Sequence, residues 1–196
     1  MVNRLISYGG QVTREPDWPG LSDEELLVAV ANTGHGEHDE LADPPAMRAW
    51  WAGLDAPTDL GPVRLDTPED LATLRALRAV VRGLALRNNG IDIRVDPAGL
   101  DRLTLRPDLR GSPSLRAVGP DGLVRDVCAA TVTALLRATA RPGWPRLKAC
   151  RGADCRWVFI DSSRNTSRRW CDMAACGNRA KSASFRIRHR VSEAAG

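Results

Sequence analysis

Four cysteines near the end of the chain constrain it more than any other feature: Cys150, Cys155, Cys171 and Cys176 form two C-x4-C pairs separated by fifteen residues. Two close thiol pairs at that separation read as a tetrahedral site, and Zn²⁺ favours a four-thiolate cage. A segment with few large apolar residues can fold around such an ion in place of a core. The competing readings are two disulfides, plain buried thiols or an iron–sulfur cluster. Nothing in the sequence suggests secretion, so a reducing compartment disfavours disulfides, and the S4 donor set favours zinc. Between the pairs, Trp157-Val158-Phe159-Ile160 reads as a short strand, and a helix-compatible run over 180–191 follows Cys176-Gly177-Asn178-Arg179. The fifth cysteine, Cys128, sits in an apolar helical run and reads as core.

Leu147-Lys148-Ala149-Cys150, Phe159-Ile160-Asp161, Arg164-Asn165-Thr166-Ser167-Arg168-Arg169-Trp170-Cys171 and Cys176-Gly177-Asn178-Arg179 occur in that order. On these residues the segment, about a quarter of the chain, resembles the CGNR zinc-finger family of bacterial proteins. The resemblance implies a zinc-binding and DNA-binding module at the C-terminal end of a stress-induced transcription regulator. In that family a helical ABATE domain precedes the finger, and Val30-Ala31-Asn32-Thr33 with Asp43-Pro44-Pro45 and Trp50 is similar to that domain's opening.

At 196 residues, 43% hydrophobic and 27% charged, the chain can bury a core of its own. Its charge is uneven. Residues 146–190 hold twelve Lys and Arg against Asp154, Asp161 and Asp172, a surplus of nine positive charges in a chain whose net is +4, so the remainder is net −5. Basicity confined to the cysteine-bearing segment points to an acidic partner for that segment. Residues 1–20 mix Arg4, Arg14, Glu15 and Asp17 with glycines and hold no signal-peptide core. The longest apolar run, 26–31, falls far short of the roughly 20 residues of a membrane-spanning helix. A cytoplasmic protein without membrane contact is the expectation.

Gly9-Gly10, Pro16 and Pro19 read as a loosely packed lead-in. Ser22-Asp23-Glu24-Glu25 is a capping box opening a helix to about Asn32. Gly34-His35-Gly36-Glu37-His38-Asp39-Glu40 gathers two histidines and three carboxylates, but its glycines deny ligands a rigid frame, so a solvated loop without metal is expected. Asp43-Pro44 opens a second helix that Gly53 ends, with Met47, Trp50, Trp51 and Leu54 at core spacing. Thr67-Pro68-Glu69-Asp70 and Asn88-Asn89-Gly90 bracket the longest helix. Its stripe of Leu71, Leu74, Leu77, Val81 and Leu84 must pack, while Arg75, Arg78, Arg82 and Arg87 are expected on a solvated face. Asp96-Pro97 suggests a short helix to about Arg102, and 103–105 with 114–118 alternate like the strands of a small hairpin. A last helix from Leu123 to Ala138 is broken by Arg141-Pro142-Gly143-Trp144-Pro145. No Gly-rich phosphate loop and no nucleophile–base pair is visible, so an enzyme is not expected.

Laid out at 100° per residue, Arg179, Arg186 and Arg190 fall within about 40° of one another on the final helix, beside an apolar stripe of Ala180, Ala183, Ile187 and Val191. Arg164, Asn165, Arg168 and Arg169 occupy a polar loop ahead of Cys171. Such a loop suits a phosphate backbone, and the helix arginines suit base edges or phosphates. Gly177 is expected at positive φ and Asn178 as the helix cap. Arg179 either meets phosphate or bonds backbone carbonyls around the metal knuckle. Trp157, Phe159 and Trp170 are expected to form the module's small core.

The expected fold is mainly α with a small β-hairpin: a helical ABATE-like domain over 1–140, a linker over 141–146, and a treble-clef-like or ribbon-like zinc module over 147–196. The expected function is a DNA-binding transcription regulator whose N-terminal domain senses a small-molecule effector or forms a homodimer. The alternative is a finger that binds protein or RNA.

Overall fold

The first three helices each begin at a side chain that replaces a missing backbone partner. In α1 (Asp23–Ala31), Ser22 Oγ accepts from Glu25 N–H at 3.2 Å, and Glu25 accepts from Ser22 N–H at 2.8 Å. Asp43 accepts from Ala46 N–H at 2.8 Å to start α2 (Pro44–Ala52). Thr67 and Asp70 make the same reciprocal pair at the head of α3 (Pro68–Asn88), with an aspartate in the role usually taken by glutamate. The helix α4 (Leu123–Thr139) starts at Gly122, which has no side chain to offer; Asp66 supplies the cap from far upstream, accepting from Val124 N–H at 2.9 Å.

The computed structural model describes residues 21–54, 66–120 and 122–193, and their side chains except at 184 and 187–193. The lead-in expected over 1–20 lies outside the described residues. Helices α1, α3 and α4 pack against one another around Leu27, Val30, Leu41, Leu74, Val81, Val124 and Val127, with Trp50 and Trp51 buried in the same core. Cys128 is buried there too, and burial pushes its thiol up to about 12, so it stays a neutral hydrophobe. Strands β3 (Leu105–Asp108) and β4 (Ser114–Ala117) form an antiparallel hairpin that lies on α4, where Thr133 Oγ1 accepts from Leu115 N–H. The helix expected to reach Arg102 is a single 3₁₀ turn, Ala98–Leu100. Among the described residues no helix is long and apolar enough to cross a membrane.

Of two expectations for the N-terminal part, the solvated loop holds in that residues 35–38 are exposed, while the solvated arginine face is corrected. The run from Gly34 to Glu40 is a tight hairpin of β1 (Gly34–His35) and β2 (His38–Asp39), and three of the four α3 arginines clamp it in place of facing water. Arg78 forks onto both oxygens of Asp39 at 2.6 and 3.1 Å and reaches Thr33 Oγ1. Arg82 donates to the carbonyls of Ala31 and Gly34, and Arg75 to that of Leu41. Carbonyls covered by a packed helix lose water and need donors, and a guanidinium has the reach and the fork to serve several at once. Burial would raise the Asp39 carboxyl, but Arg78 outweighs it and the net direction is down. Only Arg87 is exposed, bonding Ile93 O.

The cysteine-bearing segment joins this core through strands β5 (Leu147–Ala149) and β6 (Val158–Ile160), antiparallel with Ala149 opposite Val158. β5 lies on α3 and β6 on α1. Leu147, Ala149 and Val158 are buried in the same cluster as Leu27 and Leu74. Asn32 Nδ2 donates to Val158 O at 2.9 Å while its Oδ1 accepts from Val158 N–H at 2.8 Å. At the end of α3, Asn88 donates to the carbonyls of Trp144 and Leu147, and Asn89 to those of Ala149 and Arg169. Arg151 returns a bond to Asn89 O. Between α4 and β5, Arg141 pairs with Asp23 at 2.5 Å and Glu24 at 3.1 Å, and 144–146 form a 3₁₀ turn.

Candidate metal centre

Side chains alternate across a strand, so β5 and β6 present Leu147, Ala149 and Val158 to the helices and turn Lys148, Cys150 and Phe159 the other way. On that second face Cys150, Phe159 and Cys176 form a separate buried cluster, with Cys155, Trp157, Trp170 and Cys171 packed against it. Cys150 follows β5 directly, its N–H bonded to Trp157 O, and Cys155 sits in the turn closed by its own N–H on Gly152 O. Cys171 ends the polar loop, and Cys176 lies in a π-helical turn, Met173–Gly177, that Asp172 caps by accepting from Ala175 N–H at 2.6 Å.

The four sulfurs lie within 4.8 Å of one another, with Cys155 to Cys171 at 3.5 Å and Cys171 to Cys176 at 3.7 Å. A zinc–sulfur bond of about 2.3 Å gives a tetrahedron edge of about 3.8 Å. A disulfide needs about 2.05 Å. The arrangement therefore fits Zn²⁺ and excludes disulfides. Donors already face the sulfurs, among them Gly152 N–H on Cys150 at 3.4 Å and the Arg179 guanidinium on Cys176 at 3.2 Å. A tetrathiolate zinc centre carries two negative charges, which such donors offset.

Without metal, burial pushes the thiols of Cys155 and Cys171 up, and their sulfur neighbours add to the rise at Cys171. Burial also opposes the Cys176 thiolate, but Arg179 and the adjacent thiols prevail and the direction there is down. Zinc binding must expel the protons that remain. Proton release on titration of the metal-free protein with Zn²⁺ is therefore expected, with apparent affinity climbing between about pH 6 and 8. A pH-independent affinity measured against a chelator, corrected for the chelator's own protonation, would contradict thiolate ligation.

Two expectations at the signature are corrected. Positive φ occurs at Gly36, Gly90 and Gly119 among the described glycines, and Gly177 does not share it. Space at Gly177 is tight: a Cβ there would sit 2.3 Å from Met173 Sδ and 3.2 Å from Trp170 Cδ1, so the half-exposed Met173 would have to swing aside. Asn178 is already helical, at φ −67° and ψ −39°, and α5 (Asn178–Glu193) continues from the π turn, so the capping role passes to Asp172.

The arginines divide into two groups. Arg168 folds inward, its guanidinium 4.7 Å from the Phe159 ring centroid, donating to Trp170 O at 2.9 Å and to Cys171 O. Arg179 is exposed and turns one end of its guanidinium onto the Cys176 sulfur, bonding no backbone carbonyl among the described residues. Arg164, Asn165 and Arg169 are exposed on the loop, as is Arg186 on α5; Arg190 lies on the same helix with its side chain outside the described set.

Sequence reasoning missed the pair that holds the loop. Asp161 is fully buried and accepts from Lys148 Nζ at 2.7 Å, from Ser163 N–H and Oγ, and from Arg168 N–H. Lys148, also buried, spends its remaining protons on the carbonyls of Thr166 and Arg168. Burial works against the Asp161 carboxylate, but Lys148 and the Ser163 and Arg168 donors hold it at about 2. The available signal was the alternation Leu147-Lys148-Ala149-Cys150, which puts the lysine on the cysteine face.

A CGNR zinc-finger family model matches residues 146–189, a span that takes in all four cysteines, both strands and most of α5. No curated protein matches the chain. The match covers less than a quarter of the sequence and leaves the helical part outside it. Family pattern and sulfur geometry agree on a zinc-binding module with Cys150, Cys155, Cys171 and Cys176 around the ion.

Proposed function

We propose that the protein is a DNA-binding transcription regulator whose zinc module carries the contact surface. The helical part, which we read as ABATE-like, then serves sensing or dimerisation and no catalysis. The hairpin β5–β6 followed by α5 is read as treble-clef-like. The observation that carries the proposal is what stands exposed on the segment: Arg164, Arg169, Arg179, Lys181 and Arg186, with the amide of Asn165 beside them, in a stretch with a surplus of nine positive charges. Arg168 leaves the expected contact set because its fork serves Trp170 and Cys171, whereas Arg179 is exposed and stays in it although one nitrogen bonds Cys176.

With roughly four phosphates met per chain, counterion release gives a log–log salt slope of about −3 to −4. Arg164→Glu combined with Arg169→Glu should abolish measurable duplex binding at moderate salt while zinc content stays at the parent level. Arg186→Ala should relax sequence preference by roughly 1 to 3 kcal/mol if it reads a guanine edge. The measurement is a salt titration of duplex binding with RNA and an acidic protein as competitors. A flat salt response, or preference for either competitor, would replace DNA as the partner.

A further inference from the structure

The clamp on the β1–β2 hairpin has a purpose beyond the helical core, because its outermost residue touches the metal centre. Asn32 fixes both backbone polar groups of Val158. Three residues further along the chain lies His35, and three residues before Val158 lies Cys155. The His35 ring meets Trp157 edge-on, with centroids 5.5 Å apart and planes at 78°, and its Nε2 stands 3.9 Å from Cys155 Sγ. Arg78 and Arg82 hold the hairpin at Asp39, Thr33, Ala31 and Gly34, so this approach is built in by several independent bonds. Gly34 adds to the constraint: a Cβ there would lie 2.6 Å from the Arg78 guanidinium.

A zinc-bound thiolate carries no proton, so of the two facing atoms only the imidazole can donate. We propose that His35 is a positioning residue of the metal centre: its Nε2–H donates to the Cys155 thiolate, and the helical part of the chain thereby sets how tightly the zinc module holds its ion. The sulfurs of Cys150 and Cys176 receive donors from their own segment, Gly152 and Arg179. Cys155 receives one from the Trp157 main chain and, uniquely among these, one from the distant hairpin. The inference rests on zinc at the four cysteines and is independent of the nucleic-acid reading.

Groups that orient metal ligands from outside typically change affinity by about 10- to 100-fold when removed. In the full-length protein, His35→Ala should lower Zn²⁺ affinity at least about 10-fold, measured by competition with a chromophoric chelator. It should also shift the sulfur-to-cobalt charge-transfer band of the Co²⁺-loaded form. His35→Gln keeps an amide N–H in reach and should recover most of both. Glu37→Ala, at the exposed tip of the same hairpin, should change neither. His35 is solvent-exposed, so both variants should keep the parent's helical circular dichroism. Unchanged affinity and band in His35→Ala would overturn the proposal, as would equal impairment by Ala and Gln, which would assign the effect to ring packing on Trp157. A parent protein that binds no zinc would overturn the metal assignment itself.

Discussion

Cys176→Ser is expected to release zinc and to lower the melting temperature of the helices as well as of the module. Structural zinc contributes an apparent 10–16 kcal/mol or so to small metal domains, far more than the few aromatic contacts around Phe159 can replace. Loss of the ion therefore unfolds the second face of β5–β6. The first face shares its two strands with the second, and Leu147, Ala149 and Val158 belong to the core of α1 and α3, so disorder in the strands reaches that core. Burial of a Leu or Val side chain stabilises by roughly 1.5–3 kcal/mol. Withdrawing these residues, and with them the bonds of Asn32, Asn88 and Asn89, removes a sizeable part of the roughly 5–15 kcal/mol that holds a domain folded. Thermal unfolding followed by far-ultraviolet circular dichroism, with and without chelator and for the variant, reads this directly. A helical transition that does not move on metal removal would show the two parts to be energetically separate.

Asp161→Ala should be the most damaging change away from the cysteines, at about 3–5 kcal/mol, because it strands the buried Lys148 ammonium without its carboxylate. The N–H groups of Ser163 and Arg168 lose their acceptor as well, which frees the loop that presents Arg164 and Arg169. Asp161→Asn keeps an acceptor in the same place and should cost less. Guanidinium denaturation of the zinc-loaded proteins gives the comparison, and a loss below about 1 kcal/mol for Asp161→Ala would refute this account of the loop. The carboxyl is held at about 2 against an ordinary 3.8. Its stabilisation is thus complete above about pH 4 and is lost as pH falls through 2. Thiolates compete with protons for zinc at higher pH than that, so metal release, and not this ion pair, should set the acid limit of the module.

Features decided within a few residues were readable from sequence. The box at Ser22, the caps at Asp43 and Thr67 and the end of α3 rest on groups three or four positions apart. The cysteine spacing likewise announced four convergent sulfurs. What sequence concealed depends on partners far along the chain. Nothing near Gly122 reveals that Asp66 caps α4, and nothing in α3 tells Arg78 and Arg82 that a hairpin some forty residues upstream needs donors. Helical periodicity grouped Arg179 with Arg186, yet the bond to Cys176 gives the two unlike surroundings. Gly177 was readable as a special position but for the wrong reason, because crowding by Met173 leaves no trace in the backbone angles that glycine usually signals.

The helices and the two strands meet along a seam of asparagines. The side chains of Asn32, Asn88 and Asn89 bond only main-chain groups across the junction: Val158, Trp144, Leu147, Ala149 and Arg169 contribute carbonyls that every amino acid possesses, and Val158 adds an N–H that proline alone lacks. Each asparagine is thus constrained by the main chain opposite it, while the side chain there answers to other demands, burial in the core at Leu147, Ala149 and Val158. Among related chains such positions would stay fixed without changing in step with any other column. A search for coupled substitutions would pass over the junction, although the two parts of the molecule are fastened together there.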